Sequence, residues 1–189
     1  ELVHSDEAAA AVRADLSVVM PAVGGGQSPS ISRMVNAVVG SYQLGEKLGT
    51  DSSGVIYKGF DPSHGTHVAI RMLNPATANT RQAIDRWISA GEAASELVHP
   101  NLQRILSIST DAGRVYLVLE YVDGESLRKS LGRRGRFPVL ESIDVMIQMA
   151  EALAYGHGHG FLHGDLRPAH VLIGFDGIVR ISGLGTPKS

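Results

Sequence analysis

The residues best suited to chemistry lie together in segment 163–172, which reads HGDLRPAHVL. Its acidic residue, Asp165, could accept a proton from a substrate hydroxyl, as the base of a phosphoryl-transfer reaction does. The plainer alternative is that Asp165 only caps its loop through hydrogen bonds. Phosphoryl transfer also needs charge stabilisation by groups outside this loop, so the rest of the chain must decide between the two.

Three histidines, His157, His159 and His163, have the spacing H-x-H-x-x-x-H. Imidazole nitrogens at this spacing could bind zinc or nickel. Because no carboxylate or fourth histidine is clearly placed to complete a site, the metal hypothesis stays an alternative to structural roles for these side chains.

The composition is that of a globular chain with no strong charge bias. The 189 residues are 43% hydrophobic and 19% charged, with a net charge of -2, which predicts one domain plus a tail. This near-neutral charge gives no sign of the basic surface that binds nucleic acid. No apolar run reaches the roughly 18 residues of a membrane span. The absence of cysteine excludes disulfides and thiolate catalysis. Because the chain begins with Glu1 rather than Met, we expect a segment of a longer protein.

The first 41 residues precede the segments that carry the candidate chemistry. Residues 1–30 form a tail that ends in a flexible linker rich in glycine, proline and serine. Apolar residues then recur at helical spacing and predict a short amphipathic helix over 31–41. Its apolar stripe must be buried, either on the following domain or on a separate partner.

Strand and helix patterns follow in order. Strands are predicted at 42–48, 67–73, 102–107 and 114–120, and helices at 81–98, from 124 onward, and at 139–155. Thr80 is suited to cap the first of these helices. The last helix has an apolar stripe that should be buried, formed by Ile143, Met146, Ile147, Ala150 and Leu153.

From residue 42 to 185 these segments resemble a Ser/Thr-type protein kinase, in the order and at the spacing of that family. The resemblance rests on Gly49-x-x-x-x-Gly54-x-Ile56 for the phosphate loop, VAIR (68–71) for VAIK, HPNL (99–102) after the regulatory helix, LVLEYV (117–122) entering the hinge, and HGDLRPAH (163–170) for the catalytic loop. It implies a kinase-like α+β fold. An antiparallel-sheet N-lobe with its hinge would span 42–122, and a partial helical C-lobe, truncated at its C-terminus, would span 123–189.

The resemblance also implies roles for individual residues. Asp165 stands at the catalytic base, Leu119 at the gatekeeper, and the backbones of Glu120 and Val122 where adenine binds. The implied nucleotide-binding positions are Gly49, Gly54, Ile56, Ala69, Arg71, Leu119, Glu120, Val122, Arg167 and Leu172.

Other positions depart from the family pattern. Arg71 replaces the phosphate-pairing Lys, Ala90 the Glu that pairs with it, His170 the metal-binding Asn and Gly183 the metal-binding Asp. Asp51 replaces the middle glycine of the phosphate loop and brings a negative charge beside an anionic ligand. We therefore expect no metal, and we expect ATP or ADP to bind weakly and independently of magnesium.

These departures predict a pseudokinase, a catalytically inactive domain that acts as a protein-docking scaffold or a nucleotide-sensing regulatory module. The alternative is a Ser/Thr protein kinase with a non-standard ATP site, which the phrase Leu166-Arg167-Pro168 favours. Protein partners are expected, nucleic acid is not, and the family's use of ATP implies a cytoplasmic location. The basic turn of Arg133, Arg134 and Arg136 could bind an acidic partner or could simply be solvated. The oligomeric state is not indicated by the sequence.

Overall fold

The computed structural model describes residues 37–51, 53–76, 80–111 and 113–184. The strands are β1 (Val38–Val39), β2 (Tyr42–Thr50), β3 (Gly54–Asp61), β4 (Thr66–Leu73), β5 (Ile105–Asp111), β6 (Arg114–Glu120), β7 (Gly124–Ser126), β8 (Val171–Gly174) and β9 (Val179–Ile181). The helices are α1 (Arg81–Ser95), α2 (Leu127–Arg134) and α3 (Val139–Gly158), with a 3₁₀ turn at Pro168–His170. The predicted α+β class is confirmed.

Two antiparallel sheets organise the described residues. The larger has the strand order β1-β2-β3-β4-β6-β5, and the smaller has the order β7-β8-β9. Apolar side chains pack on one face of the larger sheet around Tyr57 and Ile70 and on the other around Leu117 and Trp87. Because β4 and β6 are buried on both faces, their sequences are almost continuously apolar.

Helix α1 begins at the predicted cap. Thr80 Oγ1 accepts a hydrogen bond from the Ala83 N–H at 3.1 Å. Trp87 and Ile88 then bury the apolar side of the helix against the larger sheet. The helix ends at Ser95, earlier than the predicted residue 98.

A buried asparagine connects the two lobes. Asn101 precedes β5, and its Nδ2 donates to Gln148 Oε1 of α3 at 2.9 Å and to the Val179 carbonyl of β9 at 2.8 Å. These bonds satisfy polar groups that are shielded from water. They also hold α3 and the β8–β9 hairpin in place, and thereby position the loop 163–170 that leads into β8.

The predicted helix over 31–41 is wrong at its C-terminal end. Residues 31–36, like the predicted tail and linker at 1–30, lie outside the described residues. Val38 and Val39 form β1, which pairs with β2, and they alternate between 64% and 1% exposed. A helical period and a strand period cannot be told apart over so few residues, and pairing with β2 decided the outcome.

A second correction concerns residues 124–126, where a helix was expected to begin. They form β7, which pairs with β8, and α2 begins only at Leu127. Gly124 permits this pairing because a Cβ there would lie 2.1 Å from the Ile173 carbonyl oxygen. Ser126 caps α2 by accepting a hydrogen bond from the Lys129 N–H at 3.2 Å.

The predicted buried stripe of α3 is wrong at Ile143, Met146, Ile147 and Ala150, which are exposed, whereas Leu153 packs against the core. Ile143, Met146 and Ile147 are 47%, 66% and 52% exposed, and Val145 and Ala152 are the side chains that the helix buries. The helix is apolar on more than one side, and only the side that faces β8, β9 and Leu102 is covered by described residues. Within the described ranges, no helix has both the length and the apolar character that crossing a bilayer requires.

Candidate active site

A cleft of about 400 Å³ opens between the larger sheet and the segment around β8. The structure places these expected nucleotide-binding residues along it: Gly49, Ile56, Ala69, Arg71, Leu119, Val122, Arg167 and Leu172. Gly54, Glu120 and Asp165 are not among its lining residues. Gln103 and Ser182 also line the cleft. Sequence reasoning did not single them out because neither belongs to a recognisable motif.

Gly54 and Glu120, the two expected nucleotide-binding positions that do not line the cleft, have structural roles. A Cβ on Gly54 would lie 2.0 Å from the Met72 carbonyl oxygen of β4, so the close approach of two strands requires glycine there. The Glu120 carbonyl accepts a hydrogen bond from Gln103 Nε2 at 2.8 Å. A carbonyl oxygen has a second lone pair, so this bond does not prevent it from accepting another.

The polar end of the cleft is built around an ion pair. Arg71, on β4, is only 4% exposed, and its Nη1 donates to Asp51 Oδ2 at 2.9 Å and to Ser53 Oγ at 2.6 Å. The other oxygen of Asp51 accepts hydrogen bonds from the backbone N–H groups of Ser53 and Gly54 at 2.9 and 3.1 Å. Asp51 was expected to act only by repelling an anionic ligand; instead it neutralises the arginine that would bind one.

The charges of this pair are stabilised by each other. Burial alone would raise the pKa of Asp51, but the His170 ring beside it, the charge of Arg71 and the bonds from Ser53 hold that pKa well below its ordinary 3.8. Burial lowers the pKa of Arg71, and Asp51 opposes this shift. Arginine stays protonated in proteins, so the pair is charged at neutral pH.

The loop before β8 holds the second group of candidate residues. His163 is buried, with its Nε2 2.9 Å from the Ser182 carbonyl, and its Nδ1 accepts the Asp165 N–H at 3.3 Å. The Asp165 carboxylate pairs with Arg167 Nη2 at 3.2 Å. His163 therefore shapes the loop, and Asp165 remains partly exposed as a proton acceptor.

His170 links this loop to the ion pair. Its Nδ1 lies 2.8 Å from the Asp165 carbonyl oxygen, so this nitrogen is the donor. Its Nε2 lies 3.9 Å from Asp51 Oδ2 and 3.4 Å from Arg167 Nη2. The position that would offer an amide oxygen to a metal therefore holds a ring that is hydrogen-bonded to the loop and lies next to Asp51.

The residues present do not fit a magnesium site. Gly183 has no side chain to offer a metal, and the Nδ1 of His170 is engaged. Asp176, the acidic residue that most closely precedes Gly183 in the chain, caps its turn by accepting the Ile178 N–H at 2.9 Å and pairs with Arg180. No group of three or more His, Cys, Asp or Glu side chains that could hold a metal ion occurs among the described residues.

The three-histidine hypothesis is likewise not supported by the geometry. His159 stacks on Tyr155 with ring centroids 4.3 Å apart, and its Nδ1 lies 2.8 Å from the Tyr155 carbonyl. His163 uses one ring nitrogen on the Ser182 carbonyl and the other on the Asp165 N–H. These contacts, rather than a shared metal, account for two of the three rings.

Comparison with known proteins places this geometry in a family. The family model for the protein kinase domain matches residues 42–189. The probable serine/threonine-protein kinase PknB of Lactococcus lactis is 30% identical over 149 residues, which cover 78% of this chain and 24% of that protein. Serine/threonine-protein kinase PrkC of Bacillus subtilis is 28% identical over 148 residues, covering 78% and 23%. The chain thus spans about a quarter of the length of these relatives.

Solved structures agree on the fold. The kinase domain of Mycobacterium tuberculosis PknI superposes with a TM-score of 0.71 at 25% identity, over 81% of this chain and 61% of that one. The kinase-like α+β fold with a partial C-lobe, expected from the sequence, is therefore confirmed.

Proposed function

The chain belongs to the protein kinase domain family. Within this family we propose that it is a catalytically inactive member, a pseudokinase. Its role would be that of a protein-docking scaffold or a nucleotide-sensing regulatory module. The observation that carries the proposal is the Arg71–Asp51 ion pair, because it removes the buried cation that would otherwise neutralise a transferring phosphate.

Two further positions support inactivity. Gly183 and His170 stand where the family binds magnesium, and neither offers an oxygen ligand from its side chain. Removing a single stabilising group commonly costs about 10²–10³ in rate, and these losses affect the same charges on the same phosphates. Catalysis of phosphoryl transfer consists almost wholly of such positioning and stabilisation.

The docking part of the proposal is supported by the exposed face of α3. Val139, Leu140, Met146 and Ile147 are each more than half exposed, and contiguous apolar surface of this kind marks interfaces. The partner would be a protein. A cytoplasmic location belongs to the same proposal and rests on the family's use of ATP.

A phosphotransfer assay tests inactivity. The protein is incubated with labelled ATP, magnesium or manganese, and a generic Ser/Thr substrate, beside Asp165→Ala as the matched control. We expect no labelling above that control. Labelling that disappears in Asp165→Ala would overturn the proposal.

The second candidate is an active Ser/Thr protein kinase with a non-standard ATP site. Two observations favour it: the relatives bear the names of Ser/Thr kinases, and Asp165 keeps an accessible carboxylate next to Arg167. The same assay separates the two candidates, because only an active enzyme would depend on Asp165.

A titration tests nucleotide sensing. If ATP or ADP binds, we expect weak binding that magnesium changes little, since neither Gly183 nor His170 offers a side-chain oxygen to a metal. Calorimetry with and without magnesium measures this, and an enhancement of tenfold or more, about 1.4 kcal/mol, would contradict it.

A further inference from the structure

The cleft has two unlike ends. At one end apolar side chains from the larger sheet, Ile56, Ala69 and Leu119, face Leu172 of β8 across the gap. Tyr121 and Val122 form a wall there that belongs to no helix or strand, so their backbone polar groups take no part in sheet pairing. This end can hold a flat apolar ring whose edge carries polar atoms.

The other end offers little to an anion. Of the arginine and lysine residues among the described lining residues, only Arg71 is buried. Its charge is already balanced by Asp51 at 2.9 Å. Arg167 is paired with Asp165. Arg128 and Lys129 are exposed on α2, where water and salt screen their charges.

Asp51 is held too firmly for a ligand to displace it from Arg71. Its Oδ1 accepts two backbone N–H groups, from Ser53 and Gly54, and Gly54 is itself locked in register opposite Leu73 of β4. A phosphate that displaced Asp51 from Arg71 would leave two anions side by side in a poorly solvated pocket. An uncharged ligand at the apolar end would leave the pair intact.

We propose that the cleft selects uncharged aromatic ligands of the nucleoside type over their phosphorylated forms, with Asp51 as the specificity-determining residue. In this arrangement the Asp51 carboxylate substitutes within the protein for the phosphate of a ligand. The inference rests on the proposed function, because it assigns a ligand class to the nucleotide-sensing site of an inactive domain.

Calorimetric titration of the whole chain with adenosine, AMP and ATP, without magnesium, tests the selection. We expect affinity to fall with added phosphate, and adenosine to bind at least about tenfold more tightly than ATP. In Asp51→Asn, ATP should gain at least about tenfold while adenosine changes by less than about threefold. Asp61→Asn is the matched control: Asp61 accepts the Ser63 N–H at 2.9 Å in a similar turn outside the cleft, and its removal should change neither affinity.

Several outcomes would overturn the inference. These are tighter binding of ATP than of adenosine in the unaltered protein, binding of neither compound, or an equal response of both to Asp51→Asn. Each leaves the proposed inactivity standing, whereas phosphate transfer that depends on Asp165 would overturn the proposed function whatever the ranking of ligands. If Asp51→Asn does not fold, the ranking of the three compounds in the unaltered protein decides the question alone.

Discussion

The carboxylate of Asp51 lies 2.9 Å from Nη1 of Arg71, twenty positions further along the chain. Both side chains are largely buried, with 12% and 5% of their surfaces exposed. Burying two charges costs several kcal/mol each in lost hydration, so such a pair adds little net stability compared with apolar residues. Removing one partner is different, because the remaining charge is then buried without compensation.

Asp51→Ala should lower the free energy of unfolding by about 3–5 kcal/mol. The double variant Asp51→Ala/Arg71→Met should recover most of this loss, since no charge is then stranded. Urea denaturation of the two single variants and the double variant gives the coupling energy. Asp85→Ala, which breaks the exposed pair with Arg81, is the control and should cost only about 0.5 kcal/mol. A loss in the double variant equal to the sum of the losses in Asp51→Ala and Arg71→Met would show that the pair is not coupled.

The same pair predicts a pH dependence. Because folding lowers the pKa of Asp51, its contribution to stability is fully present above the unfolded-state pKa of about 3.9. That contribution is lost as the pH falls from there towards the lowered folded-state pKa. Below about pH 4 the unaltered protein should therefore lose stability more steeply than Asp51→Asn, by up to about 1.4 kcal/mol per pH unit. Denaturation curves between about pH 2.5 and 5 measure the two slopes, and parallel slopes would count against the assigned ionisation.

Gly49 and Gly54, the two glycines that match the family's phosphate-loop pattern, should respond differently to alanine. A Cβ at Gly54 would meet the Met72 carbonyl oxygen at 2.0 Å, whereas a Cβ at Gly49 would have nothing within 4 Å. Gly54→Ala should cost about 1–3 kcal/mol or more through overpacking. Gly49→Ala, its matched control, should stay within about 0.5 kcal/mol. Similar losses at both positions would contradict the view that the sheet, rather than a ligand, requires Gly54.

The fold was predicted from its resemblance to a family, and single helices and strands could be predicted because their signals are local. The cap at Thr80 and the apolar run of β4 depend on neighbouring residues, and both appear in the structure. The errors arose where pairing with another strand, rather than the pattern of the segment itself, decides the structure. Val38–Val39 became a strand because β2 lies beside it, and Gly124–Ser126 became one because β8 does.

The site was less accessible to sequence reasoning. The replacement of family residues at positions 51 and 71 could be read from the chain, but their pairing could not, since no local pattern links residues on different strands. One signal was available: an acid and an arginine replaced a glycine and a lysine in the same phosphate site. A new acid placed beside a retained positive charge at one site indicates a salt bridge, and this argument would have predicted the Arg71–Asp51 contact.

The exposed face of α3 gives two neighbouring residues that test the docking proposal. Val145 is 8% exposed and Met146 is 66% exposed. Met146→Lys should change stability by less than about 0.5 kcal/mol and reduce binding of a hydrophobic dye, because it interrupts the apolar patch. Val145→Lys should instead prevent folding, since it buries a charge.

The unaltered chain provides the opposing outcome. If it is monomeric by light scattering, melts cooperatively and binds no dye, the face of α3 is not a docking surface. Loss of stability in Met146→Lys would show that this residue belongs to the core of the lobe.

Restoring the metal-binding aspartate should not by itself restore magnesium-dependent nucleotide binding. In Gly183→Asp, Asp51 still neutralises Arg71 and the His170 ring still bridges to the Asp165 carbonyl. Position 183 also has a φ of 82°, which costs a residue with a side chain about 1–2 kcal/mol. Magnesium should therefore improve ATP binding less than about threefold in this variant.

The triple variant Asp51→Gly/His170→Asn/Gly183→Asp should behave differently. It frees Arg71 for a phosphate and supplies two oxygen ligands of the kind magnesium prefers, so magnesium should strengthen ATP binding by at least about tenfold in calorimetric titrations. Replacing Asp by Asn at position 183 in the same background keeps the shape and removes the charge, and it should abolish the gain. A tenfold response in Gly183→Asp alone would mean that the Arg71–Asp51 pair does not control the phosphate site. The comparison of Gly183→Asp with the triple variant therefore separates the absence of metal ligands from the occupation of Arg71 as the main cause of weak nucleotide binding.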